Sequence, residues 1–239
     1  MSDADVPVVA LIHSPLTSAA AWGTLPDALR ARGWRVAVTE VHDDDGPPYA
    51  SRFIAHTAQQ LQLAEPDTHL WLIGHSAAGP LLPQIAFARH AAGAPARGYL
   101  FVDAMLPRTL RTATLLDVME AHDPVTGAQL AQHLADGGRY PDWADRDLIA
   151  TVPNVTDRAV LLSSLRPRSL DFFTEALPLP EDWPDAPCHY LRLSDAFDTE
   201  ARTAELRGWP VTRVDAHHFW PLTHSEQAAD AIGQLVTAS

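Results

Sequence analysis

Gly74-His75-Ser76-Ala77-Ala78-Gly79 follows the apolar run His69-Leu70-Trp71-Leu72-Ile73 and precedes a helix-forming stretch. A serine among small residues, where a buried strand turns into a helix, has the layout of a nucleophile elbow. The sharp turn strains the serine backbone, so the residues two before and two after it must be nearly free of side chain. Gly74 and Ala78 meet that need, although glycine is more usual where Ala78 stands. The turn lifts the Ser76 hydroxyl above the sheet edge, and the next N–H, that of Ala77, faces the same space as an anion donor.

Outward from the elbow, short apolar runs alternate with helical patterns, which predicts an α/β fold with a mostly parallel sheet. Val8–His13, Trp34–Thr39, the elbow strand, Gly98–Asp103, Cys188–Leu193 and Val211–Asp215 read as strands. Ser18–Arg32, stopped by Gly33, and Tyr49–Ala64 read as helices, and Ser225–Val236 as a closing amphipathic helix. Pro80 and Pro83 predict an irregular start to the helix after the elbow. Between Asp103 and Cys188 the rhythm changes to helices alone: Ala104–His122, Thr126–Ala135, Ala144–Thr151, Thr156–Leu165 and Ser169–Ala176. A helical block inserted between sheet strands just beyond the elbow reads as a lid. The expected division is a core of residues 1–103 and 186–239 with a lid of 104–185.

The 239 residues carry a net charge of −13, and arginine supplies all the positive charge, because the chain has no lysine. That excludes a Schiff-base lysine, a P-loop lysine and a Ser-Lys dyad. The acidic balance argues against nucleic acid or an anionic membrane as partner. A single cysteine, Cys188, excludes an internal disulfide and a multi-cysteine zinc site. The N-terminal segment has no positive region before its short apolar run, and no stretch approaches the ~20 apolar residues of a membrane span. A cytoplasmic protein, monomer or homodimer, is expected.

A serine hydroxyl needs a base, and the base needs an acid to fix its tautomer. Asp215-Ala-His217-His218-Phe219-Trp220-Pro221 lies just past the last strand pattern, where the base belongs in this architecture. His218, held by the aromatic residue after it, is the favoured base. Adjacent histidines splay apart and no carboxylate or cysteine cluster completes a metal site, so neither metal nor cofactor is expected. For the acid, Asp195 leads, at the end of Cys188–Leu193. Asp103, ending the strand Gly98–Asp103, is the rival, and Asp198, which reads as a helix N-cap, is the third candidate.

The strand ending Leu11-Ile12-His13, Trp22 nine residues later, the elbow, Phe101-Val102-Asp103-Ala104-Met105-Leu106-Pro107 and His217-His218-Phe219-Trp220-Pro221 together resemble the α/β-hydrolase superfamily. The likeness is to its small single-domain members with a helical cap, and it covers nearly the whole chain in the right order. It implies an eight-strand sheet in principle. Because the His13 strand comes almost first, about six strands are expected here. His13, His75 and Trp143 then join the residues lining the site.

The first loop departs from the resemblance. The family pattern is His-Gly-x, with the N–H of x as second oxyanion donor, but this chain reads His13-Ser14-Pro15 and proline has no N–H. One such donor is worth about 3–4 kcal/mol. Ser14 Oγ or the N–H of Leu16 could take its place, the enzyme could be a slow or specialised hydrolase, or the reaction could need no oxyanion hole. Apolar lid residues including Leu115, Met119, Tyr140, Trp143, Leu161, Leu165, Phe172 and Phe173 suggest a small, mostly apolar substrate. The lid arginines Arg108, Arg111, Arg139, Arg166 and Arg168 are candidates to meet a carboxylate. Three functions fit: a hydrolase of ester, thioester or lactone bonds; a non-hydrolytic lyase, cyclisation or rearrangement catalyst on a secondary metabolite; and a ligand-binding protein without turnover.

Overall fold

Six runs of apolar, β-branched and aromatic residues pair into one all-parallel sheet in the order β2-β1-β3-β4-β5-β6. The strands are Val8–Ile12 (β1), Arg35–Val38 (β2), Trp71–His75 (β3), Gly98–Val102 (β4), Cys188–Arg192 (β5) and Val211–Arg213 (β6). The structure, a computed structural model, describes residues 8–42, 45–66, 68–108, 113–177 and 179–237; Arg111 lies outside them. The four central strands are buried at every position and the two edge strands are not, which is why the central runs read as continuously apolar.

Alternate strand residues feed two cores. Ala10, Ile12, Leu72 and Phe101 face one layer with Phe53 and Leu61 of α2 (Tyr49–Ala64) and Ile85 of α3 (Leu82–Ala91). Val9, Leu11, Ile73 and Leu100 face the other with Leu25 and Leu29 of α1 (Leu25–Ala31) and Ile232 of α11 (Ser225–Thr237). Strand order reverses between β1 and β3, so the crevice at their carboxyl ends is a topological switch point, where open α/β sheets bind ligands. In register, Ile12 stands opposite Gly74, His75 opposite Val102, and Val102 opposite Leu191. His13 therefore emerges level with His75, and Ser76, Asp103 and Arg192 stand side by side along the same edge.

The expected helix over Ser18–Arg32 is broken. A 3-10 turn over Ala19–Trp22 ends at Gly23, whose φ of 55° allows the reversal, and α1 restarts behind Thr24 with Pro26 in its first turn. Between β4 and β5 lie α4 (Leu115–His122), α5 (Pro124–Ala135), α6 (Asp145–Leu148), α7 (Val155–Ser164) and α8 (Leu170–Phe173). The helix expected from Ala104 starts only at Leu115, where Thr114 and Asp117 form a capping box, and residues 104–108 are not helical. α6 and α8 are single turns, shorter than their apolar patterns suggested. The described residues hold no strand there, only the isolated bridges Thr114–Ala176 and Tyr140–Arg168. After β5 come α9 (Asp198–Leu206) and α10 (Trp220–Thr223).

These helices pack onto the carboxyl edge of the sheet: Leu115, Val118, Phe172 and Phe173 share one apolar cluster with Leu16, Ala77 and Phe197. Polar ties reinforce the contact. The guanidinium of Arg168, though buried, donates to the Pro15 carbonyl at 3.2 Å and to Asp45 at 3.0 Å. α2 has no cap of its own at Pro48, and Glu175 supplies one, accepting from the Tyr49 and Ala50 N–H groups at 2.6 and 2.9 Å. No helix among the described residues is long and apolar enough to cross a membrane.

Candidate active site

Ser76 leaves β3 with φ of 57°, a left-handed conformation that costs a non-glycine residue about 1–3 kcal/mol. Two features hold it there. The Met105 N–H donates to the Ser76 carbonyl at 3.1 Å, and the following residues wind into a 3-10 turn over Ser76–Leu81 that contains Pro80, the irregular start the prolines predicted. The glycine this turn depends on most is Gly79: a Cβ there would lie 2.0 Å from the Met105 carbonyl oxygen. A Cβ on Gly74 would meet only the Leu82 side chain, at 3.0 Å, and Ala78 is accommodated fully buried.

His218 lies in the loop after β6, and its Nδ1 donates to Asp103 Oδ2 at 3.0 Å. Asp103, at 0 % exposure, accepts three further hydrogen bonds: from the Leu193 and Ser194 N–H groups at 2.7 and 3.1 Å, and from Ser194 Oγ at 2.6 Å. Burial pushes its carboxyl upward, but the His218, Ser194 and Leu193 contacts outweigh that and hold it below the ordinary carboxylate value. A carboxylate at Nδ1 fixes the proton there and leaves Nε2 as the basic nitrogen.

Asp195, the favoured acid on sequence, is elsewhere. Its side chain is 88 % exposed and ion-paired with Arg192. Asp198 is not an N-cap either; it opens α9 with no side-chain cap bond, and its carboxylate accepts from Arg192 Nε at 2.8 Å. Arg192 thus takes both surface carboxylates, and Asp103 is the one that reaches His218.

The His218 ring lies between two others. It stacks on His75, the residue directly before Ser76, with centroids 4.4 Å apart, and on Phe197 at 4.9 Å with parallel planes. His75 Nε2 also donates to the His218 carbonyl at 2.9 Å. These contacts bring the loop after β6 against the elbow. Among the described residues the Ser76 hydroxyl has no hydrogen-bond partner.

Solved structures match this architecture over nearly all of both chains. One is an extracellular α/β-hydrolase from a Paenibacillus species, with TM-score 0.77 and 15% identity, covering 96% of this chain and 98% of that one. This chain has the α/β-hydrolase fold. Tomato methylketone synthase I in complex with 2-tridecanone (TM-score 0.72, 12% identity, 98% of each chain) and polyneuridine aldehyde esterase (TM-score 0.72, 16% identity, 96% and 99%) are also similar to it. No protein-family model matches the chain. No curated protein matches it in sequence.

In this α/β-hydrolase-fold protein the first loop is closed on itself. His13 Nδ1 donates to the Ser14 carbonyl at 2.7 Å, and its Nε2 accepts from the Val41 N–H at 3.1 Å, so the buried ring ties the β1 exit to the β2 exit. Burial lowers its pKa, in keeping with a neutral ring. The Leu16 N–H donates to Ser14 Oγ at 3.2 Å and is thereby occupied, while the Ser14 hydroxyl keeps its own proton to give. Of the two expected substitutes for the missing Pro15 N–H, Ser14 Oγ is the one left available.

Beside Ala77 and Pro15 lies a cavity of about 20 Å³, walled by Tyr49, Phe53, Leu115 and Phe172. Arg168 stands next to it, over the Phe172 ring, but is committed to Pro15 and Asp45. Trp143 is set against Phe219, ring centroids 5.7 Å apart, in a second apolar cluster with Leu148 and Leu161. His217 Nε2 meets Thr223 Oγ1 at 3.1 Å, away from Asp103. No metal-binding cluster of His, Cys, Asp and Glu occurs among the described residues. Ser194 and Phe197 escaped the sequence reading; the only available sign was their place beside Asp195, on the loop already marked for the acid.

Burial, chiefly, and the His218 charge lower the His75 pKa from 6.5 to about 3. As pH falls through 6.5 the unfolded chain takes up this proton and the folded chain does not. Stability therefore declines with falling pH over that window, by up to about 1.4 kcal/mol per pH unit. His75→Gln, which keeps a donor for the His218 carbonyl, is expected to flatten that slope in urea unfolding measured from pH 7 to 4. A slope equal to wild type would show that His75 is not the group responsible.

Proposed function

We propose that this protein is a cofactor-independent serine hydrolase that cleaves an ester, thioester or lactone bond of a small, largely apolar molecule. Ser76 attacks the carbonyl carbon, and His218 Nε2 takes the hydroxyl proton. Asp103 keeps the Nδ1 proton in place and balances the imidazolium that forms. The Ala77 N–H, one of the first N–H groups of a helical turn and so without a partner inside it, receives the oxyanion together with the Ser14 hydroxyl. His218 then returns the proton to the leaving group, and water releases the acyl group by the same steps in reverse. Residues 104–185 act as a lid over the core of 1–103 and 186–239 and exclude polymeric substrates.

The observation that carries this reading is the Asp103–His218 hydrogen bond of 3.0 Å, on a ring stacked against the residue before Ser76. The apolar walls beside Ala77 support an uncharged acyl group. Neighbours of the same fold that are named as esterase and hydrolase agree with the reaction class.

The test is turnover of short-chain p-nitrophenyl esters by wild type and Ser76→Ala. The expected result is measurable hydrolysis that falls at least about 10⁴-fold in the variant. Equal turnover by both would refute the role of Ser76.

Pro15 favours a second reading, in which Ser76 and His218 only move protons in a non-hydrolytic lyase, cyclisation or rearrangement reaction. A neighbour named as a synthase shows that the fold is not confined to proteins called hydrolases. An acyl adduct on Ser76, detected by mass spectrometry during ester turnover, would decide for hydrolysis. A folded protein with neither adduct nor turnover would decide for the alternative.

A further inference from the structure

A second cavity, of about 290 Å³, lies between α4 and α9 and shares no lining residue with the elbow or the pocket beside it. Its size sits at the lower edge of ligand-binding cavities, about 300 Å³. Leu106, Val118 and Ala121 give it an apolar wall, and Arg108 and Arg207 both line it.

With a net charge of −13, carboxylates are in excess, and Arg32, Arg158, Arg192 and Arg213 each hold at least one. Arg108 and Arg207 do not, among the described residues. Arg207 donates to the Pro107 carbonyl at 2.9 Å and lies over the Trp209 ring at 5.1 Å. Arg108 donates to the Asp117 carbonyl oxygen at 3.4 Å, and the Asp117 carboxylate, which accepts from Thr114, lies near enough to feel its charge.

The single carboxylate on the cavity wall, Glu200, is engaged by His122. Burial chiefly, with a contribution from the Arg108 charge, holds Arg207 below the ordinary guanidinium pKa. Two guanidinium groups lining one space repel each other, and an anion between them lessens that repulsion. The planar, fork-like donors of arginine suit a carboxylate. Glu200 on the same wall opposes a second negative charge, and the apolar side accepts a hydrocarbon body.

We infer that the cavity between α4 and α9 binds a small organic monoanion, a carboxylate on an apolar body, through Arg108 and Arg207. This goes beyond the hydrolase reading and stands apart from it, because binding is measured without turnover.

Benzoate and its uncharged isostere benzamide are the probes, titrated calorimetrically at low ionic strength into the full chain carrying Ser76→Ala. The expected result is saturable one-to-one binding of benzoate, at least about tenfold weaker binding of benzamide, and a loss of about tenfold or more in Arg108→Gln and in Arg207→Gln. Arg108 makes a single long hydrogen bond, so its variant keeps the test open if Arg207→Gln fails to fold. Benzoate should also shift the His122 ring signal in NMR, since Glu200 joins that ring to the cavity wall. No saturable binding, equal affinity for benzamide, unchanged affinity in Arg108→Gln, or an unmoved His122 signal would each overturn the assignment.

Discussion

Asp103→Asn is expected to lower kcat for ester hydrolysis by about 10³–10⁴-fold while leaving the fold intact. The asparagine carbonyl can still accept from the Leu193 and Ser194 N–H groups, so the buried site stays satisfied. Its NH2 group then faces His218 Nδ1, where the carboxylate oxygen had accepted a hydrogen bond. The imidazole must present a lone pair at Nδ1 and carry its proton on Nε2, the nitrogen that has to receive the Ser76 proton. The imidazolium also loses its balancing charge. Asp195→Asn removes an exposed carboxylate bound to Arg192 and is expected to change kcat by no more than about twofold. Steady-state kinetics with circular dichroism on both variants gives the answer. The reverse ranking would return the acid to Asp195.

Gly79→Ala carries the largest expected stability effect. The new methyl would meet a backbone oxygen, Met105 O, at 2.0 Å, so relief requires the strand exit at Met105 to move. That segment also supplies the N–H that holds the Ser76 carbonyl. A loss of about 3 kcal/mol is expected, which in a chain of this size lowers Tm by roughly 10 °C. Ester turnover should fall with it. Gly74→Ala meets only the movable Leu82 side chain at 3.0 Å and is expected to cost about 1 kcal/mol. Thermal unfolding of the two variants side by side separates backbone from side-chain conflict. A Gly79→Ala protein melting within a degree or two of wild type would contradict the account of the elbow.

The strands were legible because a parallel central strand is buried on both faces, and runs such as Trp71–Ile73 and Gly98–Val102 therefore contain little but apolar residues. The elbow was legible because its steric needs are local. The carboxylate partner of His218 was not. Asp103 and Asp195 both follow adjacent parallel strands, and the choice depends on which one the register buries. Asp195 and Asp198 both pair with Arg192, while the Ser194 hydroxyl and N–H complete the shell around Asp103. Arg192, three residues before Asp195, was the sign available in the sequence. The break at Gly23 was legible in principle too: Gly23-Thr24-Leu25-Pro26 reads as a stop, a cap and a first-turn proline, although Trp22, Leu25 and Leu29 lie at helical spacing and share one core.

The proposed hydrolysis depends on His218 drawing the proton from Ser76. A fluorophosphonate reports that step without knowledge of the substrate, because its rate of attachment follows the nucleophilicity of the serine. Intact-mass and peptide mass spectrometry of wild type should show one adduct on the peptide containing Ser76, forming about 10³-fold or more faster than in a folded His218→Gln variant. A wild-type protein that stays unlabelled, or that is labelled equally fast when His218 is replaced, would contradict it.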